Sequence, residues 1–352
     1  MLEIYKNKKV LITGHTGFKG SWLSCILEVL GAKQIGYSLA PNTQPSHFQL
    51  LKLNHKSIIE DVTNFEKLSK KIQQFQPDII FHLAAQPLVI ESYKNPINTY
   101  QTNVMGTLNL LESIRLMNHN IAVVVVTTDK VYENNETNRP YKETDPLGGY
   151  DMYSSSKAAT EILTKSYIQS FFNKKNYNKN HNTLIATARG GNVIGGGDWS
   201  NDRLIPDIVK STSKGIKTII RNPNSIRPWQ HVLDCLFGYL HLGSKLLNKE
   251  IEFSGSWNFA PFSYDTKSVI EVIEFSKKKW PLIEVDLDLT SEKVHEASTL
   301  ILDNSKSIDL LDWKPIFNTE TAIDYTIQWY KSYYEENKVI TFQQIENYFK
   351  LQ

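Results

Sequence analysis

Thr13-Gly14-His15-Thr16-Gly17-Phe18-Lys19-Gly20 is the stretch on which the fold turns. It follows a short β-branched run at 9–13. It opens a segment at 18–30 in which Trp22, Leu23, Ile26, Leu27 and Leu30 recur at helical spacing. A strand, a glycine turn and a helix in this order, so near the start, form a dinucleotide-binding signature. Gly14 permits the tight turn. Gly17, between Thr16 and Phe18, lets a pyrophosphate approach the backbone. Gly20 lets the helix pack on the strand, and the helix N-terminus then faces the phosphates.

Outward from this turn, strands are expected at 34–38, 57–60, 78–83, 122–127 and 184–188, and helices at 63–74, 98–117 and 153–172. The run at 122–127 is almost purely β-branched, as suits the centre of a parallel sheet. Regular alternation predicts an α/β fold: a Rossmann-type doubly wound parallel sheet. After Arg189 glycines and prolines multiply and the alternation loosens. The expected division is an NAD-binding unit at 1–190, with returning segments at 231–262, and a smaller C-terminal substrate-binding lobe from 191–230 and 263–352. Residues 173–182 read as a polar surface loop.

The second strand ends Gly36-Tyr37-Ser38, without the acid that would bind a ribose, so this rule leaves NAD and NADP both open. Asp61, with Val62, could accept from an adenine amino group; a helix cap by Asp61 or Thr63 is an equal reading. Leu83, Ala84 and Ala85 end the fourth strand in a way that lets a cofactor lie close. Gln86, next along, is expected to face the substrate.

Tyr153 and Lys157 stand one helical turn apart on one face. The cation, with a positive nicotinamide ring, would favour phenolate, which can take the proton of a sugar hydroxyl. Thr128, Asp129 and Lys130 follow the fifth strand, and parallel sheets place chemistry at such carboxyl ends. Thr128 can bond the same hydroxyl, and Asp129 and Lys130 extend the site toward neighbouring carbons.

The 352 residues are 41% hydrophobic and 22% charged, with a formal net charge of +2, which argues against nucleic-acid or membrane partners. Cys25 and Cys235 sit in apolar stretches and read as buried free thiols, and no metal-ligand spacing appears. Residues 1–6 lack a signal-peptide core, and no apolar run reaches the length of a membrane span. A cytoplasmic enzyme is expected.

These residues resemble the extended short-chain dehydrogenase/reductase family of nucleotide-sugar enzymes. The fit is closer to its 4,6-dehydratases, in particular the branch acting on CDP-linked glucose. It rests on residues 13–23, 36–41, 128–134, 145–157, 188–199, 202–208, 219–232 and 257–261, and continues through His295-Glu296-Ala297 and 311–315. The resemblance implies a tightly bound NAD and an internal redox cycle. Tyr153 takes the 4-hydroxyl proton while hydride leaves C4. Water is then lost across C5–C6 with Asp129 as acid, and the hydride returns to C6. Many relatives carry Asp-Glu after the threonine, and that glutamate takes the C5 proton. Here Asp129-Lys130 stands instead, as in the CDP-sugar branch, and the C5 base is left open. Gly190 replaces a commoner alanine, with little effect expected.

A diphosphate needs fixed cations, which Arg203, Arg221 and Arg227 could supply. The resemblance favours Arg227, with Asn192 the next contact. Trp199, Trp229 and Tyr93 could pack on sugar or base, although burial in the core is the commoner role of such residues. His231, His295, Asp303 and Lys306 read as structural. The family also implies pairing of two long helices per subunit in a homodimer. The alternatives are an epimerase or 4-dehydrogenase on the same fold, which needs no elimination acid, or a non-catalytic NAD-binding regulator.

Overall fold

The computed structural model describes residues 2–117, 119–135, 139–288 and 300–352. His295-Glu296-Ala297 lies outside them. Seven parallel strands form the central sheet: β1 (Lys9–Thr13), β2 (Lys33–Ser38), β3 (Lys56–Ile59), β4 (Ile79–His82), β5 (Ile121–Val126), β6 (Thr183–Gly190) and, after three short strands of the lobe, Gly255–Phe259. The spatial order runs from Gly255–Phe259 through β6, β5, β4, β1 and β2 to β3. The chain reverses direction between β1 and β4, which opens a crevice at their carboxyl ends.

Alternation across the pleat splits the core in two. Ala122, Val124 and Val126 of β5 face one layer, and Val123 and Val125 face the other. All six residues of β5 are buried. Each buried valine is worth about 1.5–3 kcal/mol over exposure. One layer is covered by α1 (Phe18–Val29) and, further along the chain, by Val232–Leu247. The other is covered by helices that follow β3 and β4. The short α2 (His47–Leu51) follows β2, and α3 (Phe65–Phe75) is capped by Asn64, whose side chain accepts from the Lys67 amide.

The helix expected at 98–117 is not one regular α-helix. After α4 (Val89–Lys94) come α5 (Pro96–Tyr100), a π-helical turn at Gln101–Met105, and α6 (Gly106–Arg115). Apolar periodicity cannot reveal one widened turn. The turn carries Asn103, whose amide bonds the backbone of Gln86 and the hydroxyl of Ser156. It thus ties the end of β4 to α7 (Met152–Ser170). That helix starts with a capping box of Asp151 and Ser154.

Beyond β6, β7 (Asn192–Ile194) and β9 (Ile226–His231) pair in a small sheet, joined by β11 (Thr266–Ser268). Between them lie α8 (Leu204–Ser213) and β8 (Thr218–Ile220), which pairs with β12 (Val285–Leu287). The strand Gly255–Phe259, now β10, follows α9 (Val232–Leu247) back into the main sheet. Then come α10 (Val269–Lys279), α11 (Ser305–Leu311), α12 (Thr319–Glu336) and α13 (Thr341–Leu351). The last helix leaves the small sheets and packs on α9: Tyr348 and Phe349 meet Phe237, and the Tyr348 hydroxyl donates to Asp234. No helix of the described residues is long and apolar enough to cross a membrane.

Candidate active site

The carboxyl ends of β1, β2, β4, β5 and β6 open into a cleft of about 740 Å³. Gly14, Thr16, Gly17, Phe18, Gly20, Asp61, Val62, Leu83, Ala84, Ala85, Thr128, Asp129, Lys130, Tyr153, Lys157, Asn192, Arg203, Arg221 and Arg227 all line it. The exception is Gln86. Its side-chain nitrogen donates to Leu88 O and Thr99 Oγ1, and its oxygen accepts from Leu88 N. With these bonds the Gln86 amide braces the loop after β4.

The glycine turn is built by close backbone approach. Gly14 has φ +75°, and a Cβ there would lie 2.7 Å from Ala84 N. A Cβ on Gly20 would lie 2.1 Å from Gly14 O, so helix and turn touch through this position. Gly17 is different. A Cβ there would meet only Gly14 O, at 3.4 Å, which leaves an open side toward the cleft where α1 begins without a side-chain cap. A helix N-terminus with open space at its first turn fits a diphosphate. Thr16 Oγ1 bonds Ser38 Oγ and Leu39 O, fixing the end of β2 against the turn. Asp61 caps its own turn, accepting from Thr63 N at 2.8 Å. Among the described residues, those lining this end are Ser38, Leu39, Ala40, Asn42, Glu60 and Asp61, none of them a cation to receive a ribose 2′-phosphate. The residues present fit NAD.

At the other end the site rests on buried polar side chains. Glu161, one turn beyond Lys157, pairs with Arg189 at 2.8 Å, both side chains almost fully buried. Thr127 and Thr187 also donate to Glu161. Burial alone would raise the Glu161 carboxyl, but Arg189 and these bonds hold it below the usual range. This pair locks α7 to β5 and β6, and so sets Tyr153 and Lys157 against Thr128 and Asp129.

Burial pushes Tyr153 up to about 12, opposed by the polar Thr128 beside it. The lowered tyrosine expected from the Tyr-Lys pair is not what the protein alone produces. Lys157 Nζ donates to Val126 O at 3.1 Å, and burial, then Lys19, bring it down to about 8. The remaining part of that expectation belongs to a positive ring. Asp129 accepts from Thr128 Oγ1 at 2.9 Å. Burial raises its carboxyl above the usual value, opposed by Lys130, the Thr128 bond and Arg227. Its displacement is toward the acid form, the direction that suits a proton donor.

Arg203 pairs with Asp198 at 2.9 Å and sits close enough to Tyr153 to lower it. Asp198, in the Gly-Gly-Gly-Asp-Trp string, is a site residue that spacing did not assign; so is Lys19. Trp229 lines the cleft. Trp199 instead packs on Trp329, Tyr330 and Tyr333. His231 is buried and accepts from Leu233 N as a helix cap. Asp303 bonds Ser305 N, and Lys306 bonds Ser256 O. Cys25 and Cys235 are buried free thiols.

Gly190, where little was expected, is crowded. A Cβ there would lie 2.8 Å from Tyr239 Oη, 3.3 Å from Cys235 Sγ and 3.4 Å from Lys19 Nζ. An alanine would force this cluster to move, so glycine matters here through space.

A family profile described as GDP-mannose 4,6 dehydratase matches residues 11–326. The chain belongs to this family. It is 45% identical over 333 residues to a CDP-glucose 4,6-dehydratase of Salmonella typhimurium, covering 94% of this chain and 92% of that protein. It is 26% identical to a CDP-paratose 2-epimerase of Salmonella typhi, covering 92% and 99%. Among solved structures, the UDP-glucose 4-epimerase of Thermus thermophilus in complex with NAD superposes with a TM-score of 0.78 at 20% identity, covering 92% and 99%. The dTDP-glucose 4,6-dehydratase of Bacillus anthracis in complex with NAD gives 0.74 at 23% identity, covering 96% and 99%. These two likenesses concern the fold.

Proposed function

We propose that this chain is a hydro-lyase that converts CDP-glucose to CDP-4-keto-6-deoxyglucose, with NAD in the glycine-lined arm of the cleft. Likeness to the Salmonella typhimurium enzyme supports the substrate. The observation that carries the reaction type is Asp129, a buried carboxyl with a raised pKa beside Thr128, on the same cleft as Tyr153. An epimerase has no use for such an acid.

When bound, NAD supplies an acceptor that takes a hydride from C4 and gives it back at C6. The protein's side chains handle the protons. Tyr153 takes the 4-hydroxyl proton, Thr128 orients that hydroxyl, and Lys157 supplies positive charge behind the phenol. The C4 ketone makes the C5 hydrogen acidic. Lys130, on the same turn, can take the C5 proton only as a neutral amine; as that proton leaves, its electron pair forms the C5–C6 double bond, and a proton returns to C5 when hydride adds at C6. Asp129 protonates the 6-hydroxyl as it departs as water. Arg227, Arg221 and Asn192 hold the diphosphate and sugar. Arg203, anchored by Asp198, keeps a cation facing Tyr153 and the phosphates. The exposed Ile97, Met105 and Leu116 around α5 and α6, with Ile162 and Phe171 along α7, suit pairing with a second copy into a homodimer.

Incubation of the purified protein with CDP-glucose, and separately with dTDP-, UDP- and GDP-sugars, tests this reading by mass spectrometry. Loss of one water from CDP-glucose is expected. Loss from another nucleotide sugar alone would keep the chemistry and overturn the substrate. No loss from any, with NAD bound, would overturn the dehydratase. Asp129→Asn separates the steps: reduced nicotinamide still forms on mixing with CDP-glucose, while water release slows on the order of 100-fold.

A further inference from the structure

Lys19 lines the cleft with Lys157, yet nothing in the reaction above uses it. Its ammonium reaches toward β6 and α9 and donates to Tyr239 Oη at 3.3 Å. Cys235 Sγ and the open side of Gly190 complete the seat, and a methyl at 190 would lie 3.4 Å from the Lys19 ammonium. Burial raises both Tyr239 and Cys235, so the phenol and thiol stay neutral. Among the described residues no carboxylate lies within ion-pair distance of Lys19. The cation is thus placed, but not neutralised, by its neighbours. Its charge is felt by Lys157 across the same wall.

That wall is where hydride must move. The carbon that loses it carries the hydroxyl facing Tyr153 and Thr128, so the accepting ring must meet the same carbon. An oxidised nicotinamide ring carries a positive charge; the reduced ring is neutral. A fixed cation nearby therefore disfavours the oxidised ring and favours the reduced one. A dehydratase has a particular need for this bias, because the hydride must be held while water leaves. In that stage the C4–H electron pair has passed to the ring and the hydroxyl proton to Tyr153. The sugar carbon is oxidised and the ring reduced; the hydride later returns at C6 while a proton is added at C5, and C4 remains a ketone.

We propose that Lys19, seated by Gly190, Cys235 and Tyr239, is an electrostatic residue of the reaction centre that biases bound nicotinamide toward its reduced form. The inference rests on the assignment of NAD to this cleft. It also accounts for the glycine at 190, which leaves room for the seat.

The test reads redox equilibrium rather than turnover. Purified holoenzyme is equilibrated with NAD/NADH mixtures at constant pH, and the reduced fraction of bound nucleotide is read by its fluorescence. Lys19→Met and Lys19→Gln, each checked for folding by thermal melting, are expected to need about tenfold more NADH relative to NAD for half-reduction. Tenfold corresponds to about 30 mV for a two-electron couple. Lys19→Arg, which keeps the charge, is expected to stay within about twofold of the parent. Folded Met and Gln variants that titrate at the parent ratio would overturn the inference while leaving NAD binding intact. A parent that binds neither form would overturn the NAD assignment, and the inference with it.

Discussion

The two arms of the cleft are built by different physics. Around Gly14, Gly17 and Gly20 the surface is backbone, and what matters is the absence of side chains. Around Tyr153, Asp129 and Lys157 it is made of buried polar groups, held by the Glu161–Arg189 pair. The first arm is local in sequence. The second gathers residues from 127 to 203 and depends on a charge pair whose partners are far apart in the chain. A local arm should fail locally under substitution, and a gathered arm should fail at a distance.

The largest effect expected is Tyr153→Phe, which removes the proton acceptor and should lower the rate of water release roughly 10²–10⁴-fold. NAD content should be unchanged. Loss of NAD along with rate would break the division between the arms. Glu161→Ala comes next. It strands a buried guanidinium and should cost about 3–5 kcal/mol of stability, read by denaturant unfolding. The variant touches no substrate, so a stable but inactive protein would contradict the bracing role given to the pair.

Two alanine substitutions sharpen the contrast inside the glycine turn. Gly20→Ala places a methyl against Gly14 O and should destabilise the fold by about 1–3 kcal/mol. Gly17→Ala meets little, so the melting temperature should hold while NAD affinity falls. Calorimetric titration together with melting separates them, and equal behaviour of the two variants would refute the assignment of separate roles.

The smallest effect is a pH dependence outside both arms. Burial brings His47, His82 and His231 each down to about 3. Unfolded histidines titrate near 6.5, so between these values the unfolded state binds more protons. The stability they contribute is present above about pH 6.5 and is lost as pH falls toward 3. Asp234, raised by burial to about 6, opposes this between about 6 and its ordinary value, as does the raised carboxyl of Asp129, while His15, brought down to about 4, adds to the histidines. The melting temperature should be lower at about pH 5 than at about pH 7.5. The reverse order would mean that the histidines are not buried neutral.

Much of the first arm could be read from the chain because its rules are short-range. A glycine must stand where φ is positive, as at Gly14, or where a Cβ would strike a carbonyl, as at Gly20. The Tyr153–Lys157 spacing was equally legible, since four residues on a helix define one face. The bonds of Gln86 were not legible, because nothing local shows that Asn103 holds its backbone and Thr99 its amide. Lys19 stayed unassigned for a similar reason. Its place beside Lys157 depends on α9, more than 200 positions away, and on the space left at Gly190.

Sequence by itself determined the parallel α/β sheet, the glycine turn, and the order of the candidate side chains that line the cleft. Hydrophobic period, turn chemistry and helical spacing all act over a few residues. Only the tertiary structure decided which charges are neutralised and which are not. Arg189 meets Glu161, Arg203 meets Asp198, and Lys19 meets neutral partners. Burial and charge pairing depend on residues that only the folded chain brings together, and on the low dielectric it creates around them.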